Sequence, residues 1–150
     1  MLIYLGADHR GFDLKERLKK ALSSDAYTVV DLGATELVPD DDYPDYASAV
    51  AEKVSTDPVE SRGIVICGSG FGVDVVANKF NRVRSALAMS PDHAYQGRHD
   101  DDANVLALAA DFVDEGMAIK ILKVFLTTPF AREEKYARRL EKIAKIENKR

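Results

Sequence analysis

The stretch Gly63-Ile64-Val65-Ile66-Cys67-Gly68-Ser69-Gly70-Phe71-Gly72 decides the fold. Its first half is aliphatic on both faces, the pattern of a strand buried inside a parallel sheet. Alternating glycines follow, and then Val73, Val76, Ala77 and Phe80 recur at helical spacing. The unit is therefore strand, glycine turn, helix. Working outward toward the N-terminus, the helix with Ala47, Val50, Ala51 and Val54 begins near Pro44, a favourable first-turn residue. Before it come a strand over residues 27–32 and an amphipathic helix with Leu14, Leu18, Ala21 and Leu22 inward. A first strand covers residues 2–6. Toward the C-terminus lie strands at 83–88 and 103–108, then a helix marked by Met117, Ile121, Leu122 and Phe125 that Thr127-Thr128-Pro129 ends. A tail helix carries Tyr136, Leu140, Ile143 and Ile146; it either packs on a partner subunit or closes its own sheet. Alternation at this pitch predicts a three-layer α/β domain over residues 1–150, with five mostly parallel strands and right-handed crossovers.

Composition excludes several classes. The chain has 150 residues, is 46% hydrophobic and 31% charged, and carries a net charge of −4, so nothing draws it to nucleic acid or anionic lipid. One cysteine, Cys67, forbids an intramolecular disulfide and suits a reducing compartment. The first ten residues contain no basic segment before an apolar run, and no stretch approaches the ~20 apolar residues of a membrane span. A cytoplasmic location is expected.

In an open parallel sheet, ligands bind beyond the carboxyl ends of the strands. Asp8-His9-Arg10, the Cys67–Gly72 turn and the polar stretch His93 to Asp102 all fall near such ends. The glycine turn is either a cradle of free N–H groups for an anion or a tight connection without a ligand. It is not a Walker loop, because no Gly-Lys-Ser/Thr follows, and it does not satisfy G-x-G-x-x-G, which argues against a nucleotide-binding module. Cys67 is either a small buried apolar group or a thiol that neighbouring N–H dipoles hold as thiolate, able to act as a base. Asp8 reads as a helix cap or as the carboxylate of a working pair with His9. His99-Asp100-Asp101-Asp102 reads as a solvated charge cluster rather than a metal site, since consecutive residues do not share a helix face. Asp40-Asp41-Asp42 reads as a loop only. No metal and no cofactor is expected.

Together Gly6-x-Asp8-His9-x-Gly11-x-x-x-Lys15, Asp31-x-Gly33, Asp42-Tyr43-Pro44-Asp45-Tyr46-Ala47, residues 63–70 with Gly72, Ala77-Asn78-Lys79 and residues 102–108 resemble the ribose-5-phosphate isomerase B / galactose-6-phosphate isomerase family, in order and over nearly the whole chain. The resemblance implies a Rossmann-like fold, a homodimer or tetramer with active sites shared between subunits, and metal-free aldose–ketose isomerisation of a small sugar or sugar phosphate. It implies Cys67 as the base that moves a proton between C1 and C2 through a cis-enediolate. Gly68, Ser69, Gly70, Phe71 and Gly72 would hold the enediolate oxygens, Asp8 would assist ring opening, and His9 would bind the phosphate end.

The departures from the family pattern are specific. The ring-opening histidine falls on Asp100, with His99 one residue earlier and Asp101 beside it, so either His99 or Asp100 takes the role or ring opening is weak. The phosphate-binding arginine falls on Asp111, and the C-terminal pattern keeps only Lys135 and Arg139 of its cations around Tyr136. A carboxylate in place of a cation exchanges attraction for repulsion, each about 4 kcal/mol at 4 Å and an effective dielectric near 20. Poor use of ribose 5-phosphate is the expectation. The alternative is a sugar- or sugar-phosphate-binding subunit with weakened catalysis.

Overall fold

A computed structural model describes residues 1–22 and 27–149. Eleven elements follow one another: β1 (Leu2–Ala7), α1 (Phe12–Leu22), β2 (Thr28–Asp31), α2 (Tyr43–Thr56), β3 (Ser61–Cys67), α3 (Phe71–Ala77), β4 (Ser85–Leu87), α4 (Pro91–Asp101), β5 (Val105–Ala109), α5 (Glu115–Thr127) and α6 (Glu134–Glu147). The strands form one sheet in the order β2-β1-β3-β5-β4, and every pairing is parallel. The α/β, Rossmann-like architecture is as read from the sequence.

Side-chain alternation sorts the core into two layers. Ile3, Leu5, Ile64, Ile66, Leu106 and Leu108 point to one face, where they meet Leu14 and Leu18 of α1 and Ile121 and Phe125 of α5. Val65, Cys67, Val105 and Ala107 point to the other, beneath Val50 and Val54 of α2 and Val73 of α3. Burying both faces is what requires near-continuous apolar strands.

Helix α4 occupies the stretch that reads in sequence only as polar. Its buried residues are Ala94 and Arg98, so it has almost no apolar stripe for periodicity to detect. The local signal is its start, where Pro91 follows Ser90 and the Ser90 hydroxyl accepts the His93 N–H. Helix α6 does not close the sheet. It packs beside α4, none of its residues is buried, and Ile143 and Ile146 stay exposed over a hollow that Val83, Ala86 and Asp101 also line.

The rim of the sheet that bears on function is fixed by a buried cation. Lys15 is fully enclosed, and its ammonium donates to Asp31 Oδ1 and Oδ2 at 2.7 and 2.6 Å and to the Ala34 carbonyl at 2.7 Å. This ties α1 to the end of β2 and to the loop beyond it. There the Ala7 N–H donates to Gly33 and the Ala34 N–H donates back to Ala7, which carries the β1 ladder up to Asp8. Burial alone would raise the Asp31 carboxyl, but hydrogen bonds from Lys15, Lys19 and the Gly33 amide outweigh it and hold the group below the usual carboxylate range. A depressed carboxylate stabilises the fold above its unfolded range, and that stabilisation is lost as pH falls through its folded one. Lys15→Met should therefore cost about 3 kcal/mol or more at neutral pH, lowering Tm by on the order of 10 °C. In thermal melts the gap between variant and wild type should narrow below about pH 4.

Candidate active site

Strand order places a crevice between β1 and β3. The chain leaves β1 toward β2 on one side and leaves β3 toward β4 and β5 on the other, so the connections diverge beyond the carboxyl ends of these two strands. A cleft of about 440 Å³ opens at that point, lined by Asp8, His9, Arg10, Asp41, Tyr43, Cys67, Gly68, Ser69 and Gly72.

Cys67 ends β3 with its side chain on the α2–α3 face, and the Gly70 N–H donates to its Sγ at 3.2 Å. Gly70 reaches that position in the left-handed region, at φ 75°. A Cβ there would lie 2.5 Å from Leu87 Cδ1 and close to the backbone of Leu108 and Ala109. Helix α3 has only seven residues, so what the sulfur meets at this turn is the direct Gly70 N–H contact and not the end of a long helix. Gly70 thus serves the thiol and does not line the cleft. Phe71 does not line it either, and is 68% exposed at the start of α3.

Asp8 closes the turn before α1, while the hydrogen-bonded partner of His9 is Asp41 and not Asp8. The Asp8 Oδ1 accepts the Arg10 and Gly11 N–H groups, each at 3.0 Å, and the carboxyl also lines the cleft. Burial raises its proton affinity above the ordinary carboxylate range, although the Gly11 amide and His9 pull the other way. A carboxyl poised in this way can both donate and accept a proton.

The acidic run at 40–42 is more than a loop. Asp41 lies against His9, whose backbone N–H and ring Nδ1 reach Asp41 Oδ1 at 2.7 and 2.8 Å. Thirty-two residues separate the two, so no local pattern in the sequence announces the pair. Tyr43, the first residue of α2, is a further wall that the strand-end argument from sequence does not reach.

Asp111 is not an isolated anion. Its Oδ2 accepts a hydrogen bond from Arg10 Nη2 across Gly68, where a Cβ would strike both side chains. Asp111 therefore stands as half of a charge pair that is neutral as a whole. The edge still carries no cation in excess of its anions.

The other anticipated site residues gather elsewhere. His99 Nδ1 lies 2.7 Å from Asp100 Oδ1, and its ring stacks on Tyr95 and meets the edge of Tyr136. His99 is the leading cause holding the Asp100 carboxyl below its usual range, with Tyr136 and Lys135 adding to it. Lys135 and Arg139 lie over the Tyr136 ring at 4.6 and 5.7 Å. None of these residues lines the cleft of the same chain. Asp101 joins neither group, since it lines the hollow beneath α6. Nor are residues 99–102 a purely solvated cluster: Asp102 bonds to Arg84 and Arg98 at 2.9 and 2.8 Å.

A strand-end crevice holding a carboxyl, an imidazole and a thiol under a glycine turn defines a site for proton transfer on a small polyol, the class of the sugar isomerases. Residues 3–143 match the family model described as Ribose/Galactose Isomerase. The probable ribose-5-phosphate isomerase B of Mycoplasma pneumoniae is 41% identical over 148 residues, covering 99% of this chain and 96% of its own. The putative sugar phosphate isomerase YwlF of Bacillus subtilis is 36% identical, with 99% of each chain covered. Among solved structures, ribose-5-phosphate isomerase B from Mycoplasma genitalium with bound ribulose-5-phosphate superposes with a TM-score of 0.96 at 39% identity, over 99% of this chain and 97% of that one. The enzyme from Clostridium thermocellum gives 0.94 at 37%, with 99% of each covered. The chain belongs to the ribose/galactose isomerase family and is by class an aldose–ketose isomerase.

Gly70→Ala combines strain at a positive φ with a clash, and should lower stability by about 1–3 kcal/mol in chemical denaturation. Because it also moves the N–H from Cys67, it should depress kcat more than Gly72→Ala, whose site donates nothing to the sulfur.

Proposed function

We propose that the chain is a sugar-phosphate isomerase of the ribose-5-phosphate isomerase B type, with Cys67 as its base. The single observation that carries this reading is the Cys67 sulfur under the Gly70 N–H, at the floor of a cleft shared with Asp8 and His9. The open-chain aldose lies with C1 and C2 over the sulfur. The thiolate takes the C2 proton, and the C–H electron pair forms the C1–C2 double bond as the C1 carbonyl oxygen gains negative charge. The resulting cis-enediolate oxygens lie against the backbone N–H groups of Gly68, Ser69 and Gly72 and the Ser69 hydroxyl. The hydroxyl proton of the C2 oxygen passes to the C1 oxygen, the thiol returns its proton to C1 through the double-bond electrons, the carbonyl forms at C2, and the ketose leaves a regenerated thiolate. Asp8, with its raised proton affinity, exchanges protons with the sugar oxygens during ring opening.

The second cluster supports a shared site. His99, Asp100, Lys135 and Arg139 are the remaining chemistry-bearing residues that the family resemblance assigns, yet they lie apart from the cleft of their own chain. Helix α6, which carries Lys135 and Arg139, leaves Ile143 and Ile146 exposed. In the proposed homodimer this cluster reaches the partner's cleft: the Asp100 carboxylate orients His99 for ring opening, and Lys135 and Arg139 meet the anionic end of the substrate. Mixing Cys67→Ala with Asp100→Ala protein under subunit exchange should restore turnover that neither has alone. Failure to complement, with exchange verified by mass spectrometry, overturns the shared site.

Arg10 is engaged by Asp111, so the phosphate end is short of one free cation relative to the family pattern. Ribose 5-phosphate should be used with a kcat/KM below about 10⁴ M⁻¹s⁻¹, and the double exchange Arg10→Ala with Asp111→Arg should raise it. A panel of tetroses, pentoses and hexoses, free and phosphorylated, assayed in deuterated water, finds the preferred substrate. The wild type should take up solvent deuterium during interconversion, and Cys67→Ala should not. Ligand-induced stabilisation with no interconversion across the panel would favour instead a binding subunit with weakened catalysis, which the placement of Asp100 and the Arg10–Asp111 pair would then explain.

A further inference from the structure

The carboxylate of Asp41 has no part in the proton transfers above, yet it is almost enclosed: its side chain is 7% exposed at the wall of the cleft. The His9 backbone N–H and ring Nδ1 converge on a single oxygen, Oδ1. The second oxygen, Oδ2, is buried without a hydrogen bond of normal geometry, although the Tyr46 hydroxyl is near enough to favour the charged form. Two hydrogen bonds from one residue to one oxygen fix both the place and the rotation of the imidazole. With Nδ1 committed to Asp41, Nε2 is the ring atom left for a ligand.

We propose that Asp41 is the positioning residue of this site: it anchors the His9 ring through Nδ1–H, so that Nε2 faces the anionic or hydroxyl end of the substrate and donates to it whenever the ring is protonated. The proposal rests on the isomerase reading for the identity of that substrate, but not for the state of His9. The surroundings agree in sign. Asp8 faces the ring from the β1–α1 loop, and Asp40 and Asp41 face it from the loop before α2. Across the cleft stand Cys67 at the end of β3 and Tyr43 of α2, with Arg10 beside His9 turned to Asp111. The hydrogen bond to Asp41 is the main cause raising His9 above the ordinary histidine range; burial opposes it, and Asp8 and Asp40 add to it. Burial alone would raise Asp41, but the His9 amide and ring outweigh it and keep the carboxyl ionised. A histidine whose range is raised keeps its proton, and its hold on an anion, to higher pH than a free imidazole.

The test reads His9 directly. With three histidines in the chain, His93→Gln and His99→Gln assign the imidazole ¹⁵N resonances of His9. In the wild type, the neutral form at high pH should carry its proton on Nδ1, and the midpoint should lie above that of a free imidazole. Asp41→Asn keeps an acceptor of the same size but removes the charge, so the midpoint should move to lower pH. The KM of the best substrate found in the sugar panel should rise, its alkaline limb moving to lower pH by the same interval, while kcat changes little. A wild-type ring protonated on Nε2 and bare on Nδ1 overturns the proposal without needing any variant to fold. An unmoved midpoint in Asp41→Asn overturns it too, as does a moved midpoint with unchanged KM. If the His9 signals behave as expected and no sugar is interconverted, the isomerase reading fails and the assignment of Asp41 stands.

Discussion

The parallel pairing of β1 with β3, in register from Leu2 opposite Ser61 to Ala7 opposite Ile66, is the constraint on which the site depends. It puts the residues just past Ala7 beside those just past Cys67, although the two strands are far apart along the chain. Because the two crossovers leave in opposite directions, the space beyond these strand ends is not filled by a connecting helix. Asp8, His9 and Cys67 project there for no other reason than where their strands stop. The buried Lys15–Asp31 contact holds the outer edge of this arrangement by anchoring α1 to the end of β2, and the glycine turn holds the inner edge.

Charge inside the cleft is arranged in pairs. Asp41 is held by His9 and Asp111 by Arg10, while the Asp8 carboxyl accepts backbone N–H groups and is left with a raised proton affinity. A polyol, rich in hydroxyls that both donate and accept, suits such walls. A phosphate needs cations in excess, and within one chain those stand in the other cluster, around Tyr136. The separation of the two clusters on one chain, and the exposed Ile143 and Ile146 of α6, fit a site completed by a second copy.

The sheet is legible in the sequence because both its faces are buried: an uninterrupted aliphatic run as short as Ile64-Val65-Ile66, closed by glycines, suits a central parallel strand and little else. Asp8, His9, Cys67, Gly68, Ser69 and Gly72 are legible as cleft residues because strand-end position alone predicts where they point. Helix α4 is not, because a helix that buries an alanine and an arginine has no hydrophobic period to read. The long-range partnerships are hidden for a different reason. Asp41 with His9, and Asp111 with Arg10, are contacts between loops 32 and 101 residues apart, and in a single sequence each acid looks like a solvated surface charge. The sequence shows Asp111 as an acid but not Arg10 as its partner, because the pair forms only when the two loops meet.

Catalysis as proposed requires the sulfur of Cys67 to face the carbon atoms that exchange a proton. A structure of the protein with a sugar-derived hydroxamate, whose planar oxygens imitate the enediolate, tests this most directly. Both oxygens should lie against the backbone N–H groups of Gly68, Ser69 and Gly72, with the hydroxamate carbon within about 3.5 Å of the sulfur, the reach of a near-attack geometry. A hydroxamate seated in the cleft with a carboxyl, and not the sulfur, against that carbon would contradict it.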